Sequence, residues 1–289
     1  MFNQSAVLVR LNISTWTGRK LDKRVSDEID LSKNTKTRAG NYNKHLLAGS
    51  KELDQIQKVA TAVRTWNYEQ TLPWSNGGDR LLPFKNFFEY KQTLAMFEKQ
   101  FNDAVEAFLM NYDTLVSASA FQLGDLFDRS EYPPASELQR KFGFSYDFDP
   151  LPKGGDFRID ASEEVRRELE EQYEKAFNDR LNGAMKDVWD RLHNALTHMS
   201  EKLADKERTL KNGETTNTQI FRDSLINNAV ELCGLLTKLN VTDDPKLEQA
   251  RQKLEGAIVN VNADTVRDSD EVRHNVKARV DEILSNFDF

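Results

Sequence analysis

Cysteine, proline and glycine are scarce in this chain of 289 residues, and long apolar runs are missing. The one cysteine, Cys233, cannot form a disulfide within the chain, and it excludes a cysteine-rich zinc site. No window approaches the run of about 18 apolar residues that a membrane-spanning helix needs. Seven prolines and thirteen glycines interrupt the chain rarely, which favours long helices. Cys233 itself lies in an apolar helical pattern and is expected to be a buried structural thiol.

Motifs that carry known chemistry are also missing. The chain has no Gly-x-x-x-x-Gly-Lys-Ser/Thr phosphate loop, no Gly-x-Ser-x-Gly nucleophile turn and no His-Glu-x-x-His zinc motif. His193 and His198 are five positions apart and would point about 140° apart around a helix, so they do not form a ligand pair. These absences predict a protein that is not an enzyme and that needs no cofactor.

The start of the chain and its single cysteine bear on location. Residues 1–11 lack the basic and apolar regions of a signal peptide. Proteins with one cysteine have no need of an oxidising compartment. We therefore expect a cytoplasmic protein that does not insert into a membrane.

Apolar residues recur at helical spacing over most of the chain, and two stripes are unusually long. One occupies residues 84–115 and the other residues 165–203. A helix of about 40 residues is about 60 Å long and is not stable alone in water, so its stripe must meet another helix. We expect these two helices to pack on each other as an antiparallel hairpin. The spacing of Asp160 and Glu163 predicts the N-terminal cap of the second helix.

Strand-like alternation is confined to short stretches. Residues 7–14 and 142–148 alternate with a period of two, and residues 156–159 are expected to add a third strand to a small sheet. Near the C-terminus, Asp244–Pro245 is a typical helix start, and Ser269 or Asp268 is expected to cap the last helix. The fold is thus expected to be mainly α: a long helical hairpin, a small β-sheet element and a C-terminal helical bundle. The expected segments are 1–48 (a strand and a basic polar segment), 49–206 (the hairpin, with a β element inserted at 142–159) and 207–289 (the bundle).

Basic residues are concentrated near the N-terminus. The segment from Arg19 to Lys44 has eight basic and four acidic residues, a net charge of +4, whereas the whole chain carries −7. Such asymmetry indicates a contact with nucleic acid or another anion, or else an ordinary solvated loop. The candidate contact residues in this segment are Arg19, Lys20, Lys23, Arg24, Lys36 and Arg38.

A second candidate contact surrounds a glycine-rich turn at residues 76–78. Trp66, Trp74 and Arg80 mix aromatic and basic side chains there. Such a mixture can stack single-stranded bases, and the backbone amides of a glycine turn can hold an anion. The alternative is a rigid corner between two long helices, with the tryptophans in its core.

Asp147 and Asp149 are the only candidate metal ligands. In a strand they would face the same way, as carboxylates that hold Mg²⁺ do. Turn chemistry before Pro150 accounts for Asp149 equally well, so no metal site is expected.

Four stretches together resemble a family of uncharacterised proteins of tailed bacteriophages and related mobile elements. They are Leu8-Val-Arg-Leu-Asn-Ile-Ser-Thr-Trp-Thr-Gly-Arg19, Thr71-Leu-Pro-Trp-Ser-Asn-Gly-Gly-Asp-Arg-Leu-Leu-Pro83, Leu123-Gly-Asp-Leu-Phe127 with Tyr132-Pro133, and Asp156-Phe-Arg-Ile159. The resemblance covers about residues 5–240 and carries no catalytic motif. It implies expression in the cytoplasm of an infected bacterium, with a role in phage DNA metabolism or in countering host defence.

Three functions remain open on the sequence. The first is a non-enzymatic phage accessory protein that binds another protein, such as a host-defence or replication factor. The second is an accessory protein that binds single-stranded nucleic acid through the two candidate contacts. The third is an oligomeric helical scaffold, and a homo-oligomer is expected because long apolar stripes encourage symmetric self-association.

Overall fold

The computed structural model describes residues 5–151, 162–205, 207–209, 215–217 and 221–287. In chain order, its strands are β1 (Ala6–Ser14), β2 (Arg19–Leu21), β3 (Asn43–His45), β4 (Leu72–Pro73), β5 (Arg80–Pro83), β6 (Gly143–Pro150), β7 (Glu207–Thr209) and β8 (Thr215–Asn217). Its α-helices are α1 (Lys23–Ser32), α2 (Lys51–Gln70), α3 (Phe87–Leu123), α4 (Ala135–Gln139), α5 (Glu163–Leu203), α6 (Ser224–Leu239), α7 (Pro245–Ile258), α8 (Ala263–Asp268) and α9 (Asp270–Asn286). The expectation of a mainly α protein with a small β element is confirmed.

The chain divides into two compact units. Unit 1 comprises Met1–Arg10, Tyr68–Phe88 and Phe148–Phe289, and unit 2 comprises Leu11–Asn67 and Glu89–Asp147. Each unit gathers pieces that are distant in the sequence, so neither coincides with one of the three expected segments.

Four strands form one antiparallel sheet in the order β4-β5-β1-β6. The alternating patterns predicted β1 and β6, and both strands are confirmed. The short strands β4 and β5 flank the glycine turn and were not predicted; Val9 pairs with Arg80, and Leu72 pairs with Leu81. The third strand expected at residues 156–159 lies outside the described residues.

Unit 1 is built around the C-terminal part of α5. The buried residues of this helix recur at helical spacing: Ala184, Val188, Leu192, Leu196, Met199 and Leu203. They face α9 and α6, while α7 packs on both α6 and α9. The predicted C-terminal bundle is therefore confirmed, and α5 belongs to it.

The partner of α5 differs from the expectation. The sequence suggested α3, but α3 from Glu89 onward belongs to unit 2. The buried stripe of α5 begins only at Ala184, so two helices of ordinary length suffice to cover it. The expected pairing of the two long helices is therefore corrected: α5 packs on α9 and α6.

Unit 2 has an aromatic core on the inner face of α3. Phe101 and Phe108 are almost completely buried. The rings of Phe144 and Phe142 pack on them, each at a centroid distance of 5.7 Å. Aromatic pairs of this kind bury large areas and prefer tilted contacts, so these rings join the strand β6 and its approach to α3.

Helix caps match the sequence prediction at two of four sites. The side chain of Asp244 caps α7 and that of Ser269 caps α9, as predicted. An unpredicted capping box of Asn262 and Thr265 starts α8. The start of α5 is corrected: Ser162 accepts the hydrogen bond from the amide of Val165, and the expected cap, Asp160, lies outside the described residues.

Candidate functional site

Lys44 shows that part of the basic segment is structural. Its side chain is 5% exposed, and its ammonium lies 2.7 Å from the Glu131 carboxylate and 3.3 Å from that of Asp22. It also donates a hydrogen bond of 2.8 Å to the carbonyl of Leu126. Burial lowers the pKa of Lys44, but its bonds and charges with Glu131 and Asp22 raise this pKa more, and the net shift is upward. Lys44 therefore holds β3 in place as a cation.

Two predicted contact residues are paired with acidic neighbours. Arg38 pairs with Asp27 and, at 3.2 Å, with Asp30. Arg24 lies 3.9 Å from Glu28, one helical turn on. The acidic residues of α1 thus offset much of the segment's positive charge, and the local excess of +4 is not all available to a ligand.

The other basic side chains of the segment are exposed. They are Arg19, Lys20, Lys23, Lys33 and Lys36, and within the described ranges none forms an ion pair. Arg19 and Lys20 are adjacent in β2 and point to opposite faces of that strand. The available charge is therefore spread over the segment.

Trp66 is packed within unit 2. Its ring stacks on that of Tyr90 at a centroid distance of 4.6 Å and contacts Phe97 at 5.3 Å. The hydroxyl of Tyr90 donates a 2.7 Å hydrogen bond to the amide oxygen of Asn67, which fixes the stack to α2. One face of the Trp66 ring is thus already occupied by another ring.

Trp74 and Arg80 are packed within unit 1. Trp74 is buried and meets Phe177 edge-on at 5.3 Å. Arg80 donates a 2.6 Å hydrogen bond to the hydroxyl of Thr71, and its guanidinium lies 4.4 Å from the ring centre of Tyr68. These contacts favour the interpretation of this region as a structural corner. Base stacking by these side chains stays a prediction.

Arginines also satisfy the open end of α2. The last carbonyls of a helix have no partner within it, and they attract cations. Arg191 of α5 donates to the carbonyls of Tyr68, Glu69 and Thr71 at 2.7–2.8 Å. The guanidinium of Arg80 adds a 3.0 Å bond to the Thr71 carbonyl. Both arginines therefore stabilise the C-terminal end of α2.

The glycine turn is closed by its own residues. The amide of Ser75 donates to the carbonyl of Asp79 at 3.2 Å, and the Asp79 carboxylate pairs with Arg10 at 2.6 Å. A carboxylate within the turn disfavours an anion there, because like charges repel.

Asp147 and Asp149 lie exposed on β6, on the face opposite its aromatic side chains. Among the residues that the structure describes, no group of three or more histidine, cysteine, aspartate or glutamate residues could hold a metal ion. Asp156 and Asp160, acidic residues that follow in the sequence, lie outside the described ranges.

Cys233 is buried in α6, and the prediction of a structural thiol is confirmed. Burial raises the pKa of its thiol to about 11, so the reactive thiolate is scarce at neutral pH.

Phe84, Phe87 and Phe88 form an exposed aromatic group in unit 1, which we call the aromatic surface. Phe84 is 46% exposed and Phe88 is 74% exposed. The rings of Phe84 and Phe87 stack at 5.6 Å, and Phe88 meets both of them edge-on, at 6.2 and 5.6 Å. Phe87 in turn rests on Phe148 at 5.1 Å. The exposed rings are therefore held by other rings.

Local structure explains this arrangement. A 3₁₀ turn at Phe84–Asn86 joins β5 to α3, and side chains three residues apart eclipse in such a turn, which aligns Phe84 with Phe87. The amide of Phe84 donates to the carbonyl of Ser5 at 2.8 Å. The buried side chain of Asn86 donates to Gln70 at 3.0 Å. Both bonds fix the turn from which the phenylalanines project.

A cavity of about 220 Å³ adjoins the aromatic surface. Phe84 and Lys85 line one side, and Asn240 and Val241, which follow α6, line another. Lys85 forms an exposed ion pair with Asp243, at 3.3 Å. Such exposed pairs contribute little and are easily exchanged, so the ammonium of Lys85 remains open to another carboxylate.

Sequence analysis missed this surface because it assigned Phe84, Phe87 and Phe88 to the core stripe of the long helix. A signal was present: at about 100° per residue, Phe88 lies about 120° away from the line of Tyr90, Leu94 and the other core residues of α3. A large ring so far from the core side is expected to face solvent.

Comparison with known proteins adds no further information. No protein-family model, no curated protein and no solved structure matches this chain significantly. The resemblance to phage proteins therefore stays a prediction.

Proposed function

We propose that this chain acts without catalysis, as a protein that binds another protein through its aromatic surface. The observation that carries the proposal is the exposure of two phenylalanine rings, at 46% and 74%, on a support of other rings beside a cavity. Rigid aromatic side chains are typical anchors of protein interfaces, because they bury a large area at little cost in conformational entropy.

The surface also specifies the chemistry of its partner. Phe84 and Phe88 offer apolar area, and the adjacent cavity accepts an apolar side chain. Lys85, at the rim, offers a positive charge. The proposed partner segment therefore presents an apolar anchor with a carboxylate close to it.

The proposed setting follows from the resemblance to proteins of tailed bacteriophages. In that setting, the chain is an accessory protein in the host cytoplasm, and its partner is a host-defence or replication factor. Within the described residues, no helix combines the length and the apolar character needed to cross a membrane.

Affinity capture from infected cells tests the proposal. The wild-type chain is compared with the double variant Phe84→Ser/Phe88→Ser, and quantitative mass spectrometry measures the stoichiometry of captured proteins. We expect a stoichiometric partner with the wild type and at least about a ten-fold loss with the variant, the effect of one lost hot spot.

A matched control removes an exposed ring elsewhere. Phe121 is 92% exposed and lies in unit 2, so Phe121→Ser should retain the partner and keep the helical content of the wild type. The proposal fails if no stoichiometric partner is captured, or if both variants lose it equally.

We propose binding of single-stranded nucleic acid as the second candidate function, on one observation. Five basic side chains of the basic segment are exposed and, within the described ranges, form no ion pair. Fluorescence anisotropy with a labelled single-stranded oligonucleotide should show binding that weakens steeply with salt, because counterions are released. Changing Arg19, Lys20, Lys23 and Arg24 to glutamate should abolish it. Binding that survives this change would reject the proposal.

A further inference from the structure

The outer face of α3 in unit 2 carries exposed apolar side chains. Met96 is 58% exposed, Met110 75% and Phe121 92%. At about 100° per residue, these three positions fall within about 40° of one another around the helix. They lie opposite the buried line of Phe101 and Phe108. The helix therefore has a buried apolar face towards the core of unit 2, and its opposite face is also partly apolar.

Charged residues stand between the two methionines on the same face. They are Lys99, Asp103 and Glu106, all exposed. Lys99 and Asp103 form an ion pair of 2.6 Å along the helix. The order along the outer face is thus apolar, positive, negative, negative, apolar.

This order is nearly symmetric about position 103. Met96 and Met110 are each seven residues from it, and Lys99 and Glu106 lie four residues before it and three after it. If a second copy of α3 runs antiparallel beside the first, Met96 of one copy is level with Met110 of the other. Lys99 of each copy is then level with Glu106 of its neighbour.

We propose that the outer face of α3 pairs with the same face of a second copy of this chain, antiparallel and with a two-fold axis near Asp103. The charges select this orientation, since a parallel pair would place Lys99 against Lys99 and Glu106 against Glu106. Two Asp103 carboxylates meet near the axis, and the Lys99 ammonium 2.6 Å from each offsets their repulsion.

The size of the face determines the strength of the pair. The paired stretch from Met96 to Met110 is about 21 Å long, and with a width of about 10 Å it gives roughly 200 Å² of facing surface per copy. A stable interface buries about 800 Å² per partner. The expected dimer is therefore weak and forms at high protein concentration. Phe88 has the helical phase of Glu106, but it lies 15 residues from position 103 and outside the stretch Met96–Met110 that the pairing uses, so the variants of the two proposals are separate.

Sedimentation equilibrium of the full chain, from about 10 µM to about 500 µM, measures the dissociation constant of the dimer. Lys99→Glu places two pairs of like charges across the axis and should weaken the dimer about ten-fold or more. Glu106→Lys should weaken it similarly. The double variant K99E/E106K exchanges the charges at both positions and should restore dimerisation to near the wild-type value.

Lys58→Glu, on the exposed side of α2, is the matched control and should leave the dissociation constant unchanged. Circular dichroism and thermal melting of each variant identify any loss of fold. The proposal is overturned if the wild type stays monomeric over the whole range, if its assembly exceeds two copies, if neither single variant weakens the dimer, or if the double variant is not restored.

Discussion

The basic segment of unit 2 and the aromatic surface of unit 1 differ in how far their side chains are already used. In the basic segment, acidic neighbours occupy Lys44, Arg24 and Arg38, so a high local charge count gives a modest free charge. In the aromatic surface, the supporting rings leave Phe84 and Phe88 exposed. A surface is available to a partner when the fold supports its side chains from below and leaves their outer faces open.

The two faces of α3 allow the sharpest test of this difference. Phe108 is fully buried, whereas Phe88 on the same helix is mostly exposed. We expect Phe108→Ala to lower the free energy of unfolding by about 3–5 kcal/mol, through lost transfer energy and a cavity. Phe88→Ala should change it by less than about 0.5 kcal/mol. Urea denaturation measures both values, and similar losses for the two variants would show that Phe88 is a core residue.

Lys44 tests whether the basic segment is held together by its own ion pairs. Lys44→Ala leaves the carboxylates of Asp22 and Glu131, 10% and 18% exposed, without their cation. We expect a loss of about 2–4 kcal/mol, somewhat less than for a fully buried pair because water reaches both carboxylates. Lys23→Ala, an exposed control in the same segment, should cost less than about 0.5 kcal/mol. A small effect of Lys44→Ala would mean that the segment is held mainly by other contacts.

Acidification should lower the stability of both units, because each contains carboxylates whose pKa is lowered in the folded state. The amide of Val25 lowers the pKa of Asp22 in unit 2, and hydrogen bonds from His274 and Arg273 lower that of Asp205 in unit 1. A carboxyl group whose pKa is lowered by folding stabilises the folded state. This contribution is fully present above the ordinary pKa of about 3.8. It is lost as the pH falls through the pKa of the folded state, because the unfolded state binds more protons in this range.

The measurement is the melting temperature between neutral pH and about pH 3. Asp205→Asn removes one of the carboxylates of unit 1 whose pKa is lowered, so this variant should be less stable at neutral pH and should lose less on acidification than the wild type. Identical acid profiles for the two proteins would show that Asp205 makes no difference to the acid response.

The smallest expected effects concern the exposed basic residues. Arg38→Ala removes the ion pairs with Asp27 and Asp30 and should cost at most about 1 kcal/mol, because Arg38 itself is exposed. Lys36→Ala removes no ion pair within the described residues and should cost less still. A larger cost for Lys36 in chemical denaturation would mean that this side chain already has a contact in the fold.

Local sequence signals predicted many of the elements correctly. Alternation located β1 and β6, apolar spacing located α3 and α5, and the residues at 244 and 269 located two caps. These features depend on side chains within a few residues of each other. The strands β4 and β5 were missed, because two to four residues are too few to show a period.

The candidate site was harder to predict than the elements. For Trp74 and Arg80 the sequence left two interpretations open, an exposed contact or a structural corner. Trp74 lies beneath other side chains and Arg80 bonds to carbonyl and hydroxyl groups of the fold, which favours the corner. For Phe88, the helical phase indicated a position away from the core side of α3. Phase alone does not show whether a ring is covered, because that depends on which distant segment packs above it.

Propensity, periodicity and capping act over a few residues, so the amino-acid pattern specifies most of the helices and the longer strands. The packing of α5 on α9 and α6, the contact of Lys44 with Glu131 and the exposure of Phe84 are set by the folded structure. Those outcomes depend on contacts between residues that are far apart along the chain. Many apolar stripes of similar spacing can cover one another, and the choice among them follows from the packing of the whole unit.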